Sequence, residues 1–147
     1  MNRSTKTSLY VNLFAYGSLR MPRLMTYLTG KRFDSMKACL SGYSCHFLAG
    51  KPFPGLCHQS DHTTHGMMYL RVSRRTLRKL DRFENDFYRR VSCHVVITGL
   101  PTMYPVSIYE LKMEYLKKLT PKPWNAAHFK LSALYARLTR KLPLQDC

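Results

Sequence analysis

The sequence predicts an α+β domain built on a small and mostly closed β-sheet. Five or six strand-length segments are separated by turn residues, and a helical segment lies between two of them. The chain has 147 residues, of which 45% are hydrophobic, and this is enough for one domain with a buried core. We therefore expect a single domain over residues 1–147.

The expected strands are short runs rich in aromatic and β-branched residues, bounded by turn residues. In chain order they cover residues 9–16, 37–47, 56–57, 66–72, 91–97 and 105–112. The first strand runs directly into Gly17-Ser18, which predicts a tight turn. Residues 51–55 contain two prolines and a glycine and end the second strand. Residues 58–65 are polar, and we expect them to form the loop of a hairpin.

The helices are predicted from spacing and from capping residues. Residues 22–29 are expected to form a short helix that a glycine closes. Ser73 is an expected N-cap, after which Leu77, Leu80 and Glu84 recur at helical spacing. We expect this helix to end at Glu84, because the asparagine that follows tolerates the left-handed conformation of a C-terminal cap.

The C-terminal part, residues 112–147, is basic and is expected to be helical. A short segment covers residues 113–119, and an amphipathic one covers residues 124–141. The apolar face of the second segment consists of Leu131, Leu134, Tyr135 and Leu138. We expect this face to pack onto the sheet, and an anionic membrane or a partner protein is the alternative.

Composition restricts the class of protein. The chain has 24 Lys and Arg against 8 Asp and Glu, a net charge of +16, which attracts anions, nucleic acid or acidic lipid. Its five cysteines are odd in number and include no C-x-x-C pair, which argues against a disulfide framework and a zinc ribbon. No apolar run approaches the ~18 residues of a membrane span, and no signal peptide is recognisable. We therefore expect a cytoplasmic protein.

Three of the eight carboxylates lie together, at Asp81, Glu84 and Asp86. Asp81 and Glu84 are three residues apart and share a helix face. Glu84 would face the negative end of the helix dipole and lie beside Phe83, which would raise its pKa toward neutral. Such a glutamate can act as a general base and acid. The alternative is a solvated helix end whose acids pair with neighbouring arginines.

The second candidate feature is the turn Tyr16-Gly17-Ser18-Leu19 at the end of the first strand. A Gly-Ser turn after a buried strand can direct successive backbone N–H groups into one concavity, which suits a carboxylate or a phosphate. A simple turn without a ligand is the alternative.

Together and in this order, these motifs resemble those of the γ-glutamylcyclotransferase-like family. The similarity is greatest to the branch of plant avirulence-induced proteins and γ-glutamylamine cyclotransferases. The matching motifs are Tyr16-Gly17-Ser18-Leu19, Phe53-Pro54, His65-Gly66-x-x-Tyr69 and the segment Leu80-Asp81-x-x-Glu84-Asn85-x-x-Tyr88-x-Arg90. The match covers about residues 13–111. One departure is Asn85, where the family usually has glycine.

The resemblance implies a small mixed β-barrel with flanking helices and a cavity at one mouth. The backbone of residues 16–19 would hold the amino-acid end of a γ-glutamyl group, and Glu84 would carry the proton during cyclisation to 5-oxoproline. Tyr88 would line the pocket or contact Glu84, although a purely structural tyrosine is an alternative. The substrate would be a γ-glutamyl amine or peptide, with no metal or cofactor required. We expect a monomer.

Two other functions remain open. Six cations lie in and before the central helix, at Arg71, Arg74, Arg75, Arg78, Lys79 and Arg82. They are compatible with a non-catalytic protein of the same fold that contacts nucleic acid or another polyanion, although solvated basic faces are common. A metal site is conceivable at Cys57, His58, Asp61, His62 and His65, but the spacing matches no zinc signature and a solvated loop is favoured.

Overall fold

The computed structural model describes residues 9–51 and 53–124. Six strands and two α-helices follow one another, with short 3-10 helices at Ser18–Arg20 and Met113–Lys118. In chain order the elements are β1 (Tyr10–Ala15), α1 (Pro22–Thr29), β2 (Ser35–Leu48), β3 (Pro54–Ser73), α2 (Arg74–Glu84), β4 (Tyr88–Ile97), β5 (Met103–Leu111) and β6 (Leu119–Pro123).

Five of these strands close into a mixed barrel. The strand order is β3-β1-β5-β4-β2, and β2 pairs again with β3 to complete the ring. β1 and β5 run parallel, whereas the other pairs within the ring are antiparallel. β6 extends the sheet by pairing with the end of β2. The expected α+β class and the small mixed barrel with flanking helices are confirmed.

Two buried clusters lie on the two faces of the sheet. One draws on all five barrel strands, and it includes Phe14, Leu40, Met68, Val95 and Ile108. The other joins both helices to the outer face of the barrel, and it includes Leu13, Leu24, Val72, Leu77 and Leu80. Because successive strand residues point to opposite faces, Leu13 and Phe14 belong to different clusters.

The strands are closely packed where the end of β1 pairs with β3. A Cβ atom added to Gly66 would lie 2.3 Å from the carbonyl oxygen of Ala15 and 2.6 Å from Phe14 Cζ. No side chain fits at that point, which explains the glycine in the motif His65-Gly66-x-x-Tyr69. The end of β1, where the Gly-Ser turn begins, is therefore held tightly against β3.

Both predicted helices are confirmed. α1 covers residues 22–29, and Gly30 closes it in the left-handed conformation with a φ of 75°. Ser73 caps α2, because its hydroxyl accepts a hydrogen bond of 3.1 Å from the Thr76 amide. The end of α2 at Glu84 is correct, but the expected reason is wrong. Asn85 has a φ of −54° and a ψ of −25°, which is right-handed helical geometry.

Residues 58–65 do not form a loop, and this prediction was wrong. They belong to β3, which runs without interruption over Pro54–Ser73 and pairs with β2 along most of its length. The short strand β6 was not predicted. The amphipathic helix expected over residues 124–141 lies outside the described residues except for Trp124.

Candidate active site

One cavity brings together the residues that the sequence singled out. It lies between the end of β1 and the end of α2. The turn after β1, the start of β3 and strands β4 and β5 complete its wall. Its lining residues are Phe14, Ala15, Tyr16, Gly17, Ser18, Leu19, Pro54, Glu84, Tyr88 and Tyr109. The unoccupied space is about 340 Å³, including the part open to solvent, and about 20 Å³ of it can hold the centre of a water molecule. That is room for roughly one water.

Glu84 is a buried acid in the cavity wall. The residue is 6% exposed and is the last residue of α2. It lies close enough to Tyr16 and Tyr109 for its charge to act on both phenols. Burial is the main cause that raises the pKa of each phenol, and the negative charge of Glu84 raises it further. Three side chains capable of hydrogen bonding thus share this poorly hydrated space.

The turn after β1 forms another part of the cavity wall. The amide of Arg20 donates to the Gly17 carbonyl oxygen at 3.0 Å, so a 3-10 helix starts immediately after the glycine. The first N–H groups of a helix have no acceptor within it. The Ser18 hydroxyl is buried and has no hydrogen-bond partner among residues 9–51 and 53–124. A buried polar atom in a cavity wall without a partner is typical of a ligand-binding position.

Hydrogen bonds from tyrosine side chains fix the walls of the cavity. Tyr16 donates its phenol proton to the carbonyl oxygen of Tyr109, and Tyr88 donates to that of Pro54. Tyr69 donates to the carbonyl oxygen of Leu19 at 2.6 Å. These bonds connect the turn and three of the barrel strands, β3, β4 and β5, so the lining is held by long-range contacts between distant parts of the chain.

Asp81 and Glu84 share one face of α2 but have different surroundings. Arg90 contacts both carboxylate oxygens of Asp81, at 2.9 and 3.2 Å. The phenol of Tyr109 also donates to Asp81, at 2.7 Å. For Asp81, the structure therefore shows the pairing with a neighbouring arginine that was the alternative to a catalytic role for the acids of this helix end. Glu84 instead lines the cavity.

The sequence missed several lining residues. Tyr109 and Ala15 lie within predicted strands but carry no local signal of a site, because only the closed barrel brings them to the cavity. Pro54 was recognised only as part of the Phe53-Pro54 motif. Its ring lies next to the turn, since a Cβ atom added to Gly17 would lie 3.3 Å from Pro54 Cγ.

The candidate metal ligands are spread along β3. Within the described part of the chain, no group of three or more His, Cys, Asp or Glu side chains could hold a metal ion. His62 contacts Asp61 at 3.1 Å, and His65 contacts Cys39 at 3.3 Å across the β2–β3 pair. These are separate pairs on exposed strand residues.

A family model described as γ-glutamyl cyclotransferase, AIG2-like, matches residues 13–126. The chain therefore belongs to the γ-glutamyl cyclotransferase, AIG2-like family. The protein AIG2 C of Arabidopsis thaliana is 31% identical over 85 residues, which cover 58% of this chain and 52% of that protein. The chain thus spans about half the length of this curated relative.

Solved structures agree on the fold. The solution structure of an Arabidopsis thaliana protein has a TM-score of 0.68 at 22% identity, covering 94% of this chain and 88% of that one. A structure of a γ-glutamyl cyclotransferase has a TM-score of 0.63 at 12% identity, covering 92% of this chain and 83% of that one. No helix among the described residues is long and apolar enough to cross a membrane.

Proposed function

We propose that this chain cyclises a γ-glutamyl group to 5-oxoproline and releases an amine, with Glu84 as the general base and acid. The observation that carries this proposal is the position of a buried carboxylate in the same small cavity as the Ser18 hydroxyl, which has no hydrogen-bond partner among the described residues. Membership of the γ-glutamyl cyclotransferase, AIG2-like family supports the same reaction class.

The turn over residues 17–19 would hold the amino-acid end of the substrate. Its backbone N–H groups and the Ser18 hydroxyl are donors that a carboxylate can accept. A substrate carboxylate there would give the Ser18 hydroxyl the partner that it lacks among the described residues. The positively charged surroundings of a chain with net charge +16 favour this anionic group.

Glu84 would take a proton from the substrate α-ammonium group. The neutral amine then attacks the γ-carbonyl carbon, forming the carbon–nitrogen bond of the five-membered lactam. As the bond to the departing nitrogen breaks, Glu84 returns the proton to that nitrogen. The attacking nitrogen also loses a second proton when the lactam forms, and the released amine takes up this proton and leaves as an ammonium group. One glutamate therefore serves both steps and ends in its starting state. Because the attack is intramolecular, positioning accounts for much of the acceleration.

The cavity is narrow for this substrate. Space for roughly one water is less than a γ-glutamyl group occupies, so the proposal includes a displacement of the wall on binding. Gly17 and the ring of Pro54 are neighbours in this wall. They are therefore the residues whose separation we expect to increase when the substrate enters.

The test is mass-spectrometric detection of 5-oxoproline from a panel of γ-glutamyl amines and peptides. We expect wild type to convert at least one of them and Glu84→Gln to lower the rate by at least about a hundredfold. Glu114→Gln removes an exposed acid from the 3-10 helix Met113–Lys118 and should leave the rate unchanged. Circular dichroism establishes that both variants fold. Failure of every substrate to exceed the Glu84→Gln background would rule out the proposal.

A further inference from the structure

The outer face of α2 carries only positive charge. Arg75, Arg78, Lys79 and Arg82 occupy positions i, i+3, i+4 and i+7, and all four are exposed. This spacing places them on one side of the helix, opposite the buried Leu77. No acidic residue of α2 lies among them, because Asp81 pairs with Arg90 and Glu84 lines the cavity.

These cations lack an acidic partner within the described chain. None of the ion pairs found among residues 9–51 and 53–124 includes Arg75, Arg78, Lys79 or Arg82. By sequence, the two terminal segments outside the described residues contain a single acid, Asp146, and six Lys and Arg. In the described part of the chain, these four exposed cations are therefore available to an anionic ligand.

Further cations lie in the segment that follows α1. Lys79 Nζ donates to the carbonyl oxygen of Thr29, the last residue of α1, at 3.5 Å. The exposed Lys31 and Arg32 follow directly in the chain. On the same helix, Tyr27 is 66% exposed. The cations of α2 thus lie on a helix that contacts the end of α1, and α1 carries an accessible aromatic ring.

We infer that the outer face of α2 binds the phosphate backbone of a single-stranded nucleic acid. Arginine donates in a planar fork that matches a phosphate, and three of the four helix cations are arginines. From Arg75 to Arg82 the helix rises about 10 Å, which is long enough to contact more than one backbone phosphate of the same strand. The exposed Tyr27 ring offers a surface on which an unpaired base can stack.

A membrane surface fits this face less well. An amphipathic helix that lies on a bilayer inserts its apolar side among the lipids. The apolar side of α2 is instead part of the protein core, since Leu77 and Leu80 have no exposed surface. An acidic protein segment would pair with the cations but would make no use of the aromatic ring. This binding function is independent of the proposed cyclisation and of Glu84.

The experiment measures fluorescence anisotropy of a labelled single-stranded oligonucleotide with the full chain over a range of salt concentrations. The test variant carries Arg75→Gln, Arg78→Gln and Arg82→Gln. The control carries Lys37→Gln, Lys117→Gln and Lys118→Gln, which remove the same charge from exposed residues elsewhere. We expect the test variant to bind at least about tenfold more weakly, with a salt slope smaller by about 2. The control should stay close to wild type. Tyr27→Ala should weaken binding by about fivefold or more.

Other outcomes would overturn the inference. Equal loss in the test and control variants would mean that net charge attracts the strand without a defined face. Polyglutamate and phosphatidylserine vesicles are tested as competitors of the labelled strand. If polyglutamate displaces the strand as effectively as unlabelled oligonucleotide does at equal charge, the face binds an acidic protein. If the vesicles do so, the face binds a membrane. Circular dichroism and thermal unfolding of each variant separate lost binding from lost folding.

Discussion

The phenol of Tyr109 donates a hydrogen bond of 2.7 Å to the Asp81 carboxylate, which joins strand β5 to helix α2. The carbonyl oxygen of Tyr109 also accepts the phenol proton of Tyr16, at the end of β1. Asp81 lies one helical turn before Glu84, so Tyr109 holds the end of α2 at a fixed distance from the turn after β1. The position of Glu84 therefore depends on a residue that no local sequence signal identifies.

Tyr109→Phe should loosen the end of α2 without unfolding the protein. The change removes one hydrogen bond to a charged acceptor, and we expect the free energy of unfolding to fall by about 1.5 to 3 kcal/mol. Amide hydrogen exchange should accelerate in the last turn of α2, at Phe83 and Glu84, more than in α1. Urea denaturation and exchange monitored by NMR measure the two effects.

A double-mutant cycle isolates the contact between Tyr109 and Asp81. Tyr109→Phe and Asp81→Ala together should cost less than the sum of the two single changes, by about 1 kcal/mol. Arg89→Gln is the control, because Arg89 is exposed and its ion pair is with Glu110 and not with Asp81. Strict additivity of the two changes would contradict the structural role of this hydrogen bond.

Local sequence signals are sufficient for both helices. The glycine after α1 and the serine before α2 are adjacent to the elements that they cap, so their effect needs no tertiary context. The ordered motifs also single out Gly17, Ser18 and Glu84, which the structure places around one cavity. Their catalytic and binding roles remain proposals.

Long-range pairing accounts for what the sequence could not predict. Polar residues 58–65 have the composition of a loop, but β2 pairs with His58 and with residues 63–65, and the whole segment belongs to strand β3. Tyr109 reaches the cavity only because β5 lies beside β1, which is distant in sequence. The φ of Asn85 is likewise determined by how the chain leaves α2 toward β4, and not by the preference of asparagine for a left-handed cap.

Gly17→Ala should obstruct the cavity while leaving the fold intact. The added methyl group would lie 3.3 Å from Pro54 Cγ, closer than an ordinary contact, and both residues line the cavity. We expect a change in the free energy of unfolding of no more than about 1 to 2 kcal/mol, together with a KM raised by about tenfold or more for γ-glutamyl substrates. Thermal unfolding and steady-state kinetics measure these quantities.

The double variant Gly17→Ala, Pro54→Ala separates crowding from backbone effects. Alanine at position 54 removes the ring atoms that the new methyl group approaches, and it keeps the carbonyl oxygen that accepts the Tyr88 hydrogen bond. Recovery of a KM near the wild-type value would support the steric explanation. If KM stays as high as in Gly17→Ala, the alanine raises KM by changing the backbone conformation of the turn and not by crowding Pro54.

Buried acidic groups near the cavity predict sensitivity to alkaline pH. Burial raises the pKa of the Cys45 thiol from 9.0 to about 12, although Arg20 acts in the opposite direction. Burial is also the main cause of the raised pKa of the Tyr16, Tyr69 and Tyr109 phenols. The folded chain therefore keeps these protons at pH values where the unfolded chain has released them.

The free energy of unfolding should fall as the pH rises above about 9, because the unfolded state then binds fewer protons than the folded state. Each such group contributes about 1.4 kcal/mol per pH unit until its folded pKa is reached. Cys45→Ala should make the slope shallower by the contribution of one group, whereas Cys57→Ala, which removes another half-buried thiol, on β3, serves as the control. Urea denaturation between about pH 8 and pH 11 measures the slope. If Cys45→Ala had the wild-type slope, the thiol would titrate alike in the folded and unfolded chain, and the packing of Cys45 against the buried cluster around Phe14 and Leu40 would not shield it from water.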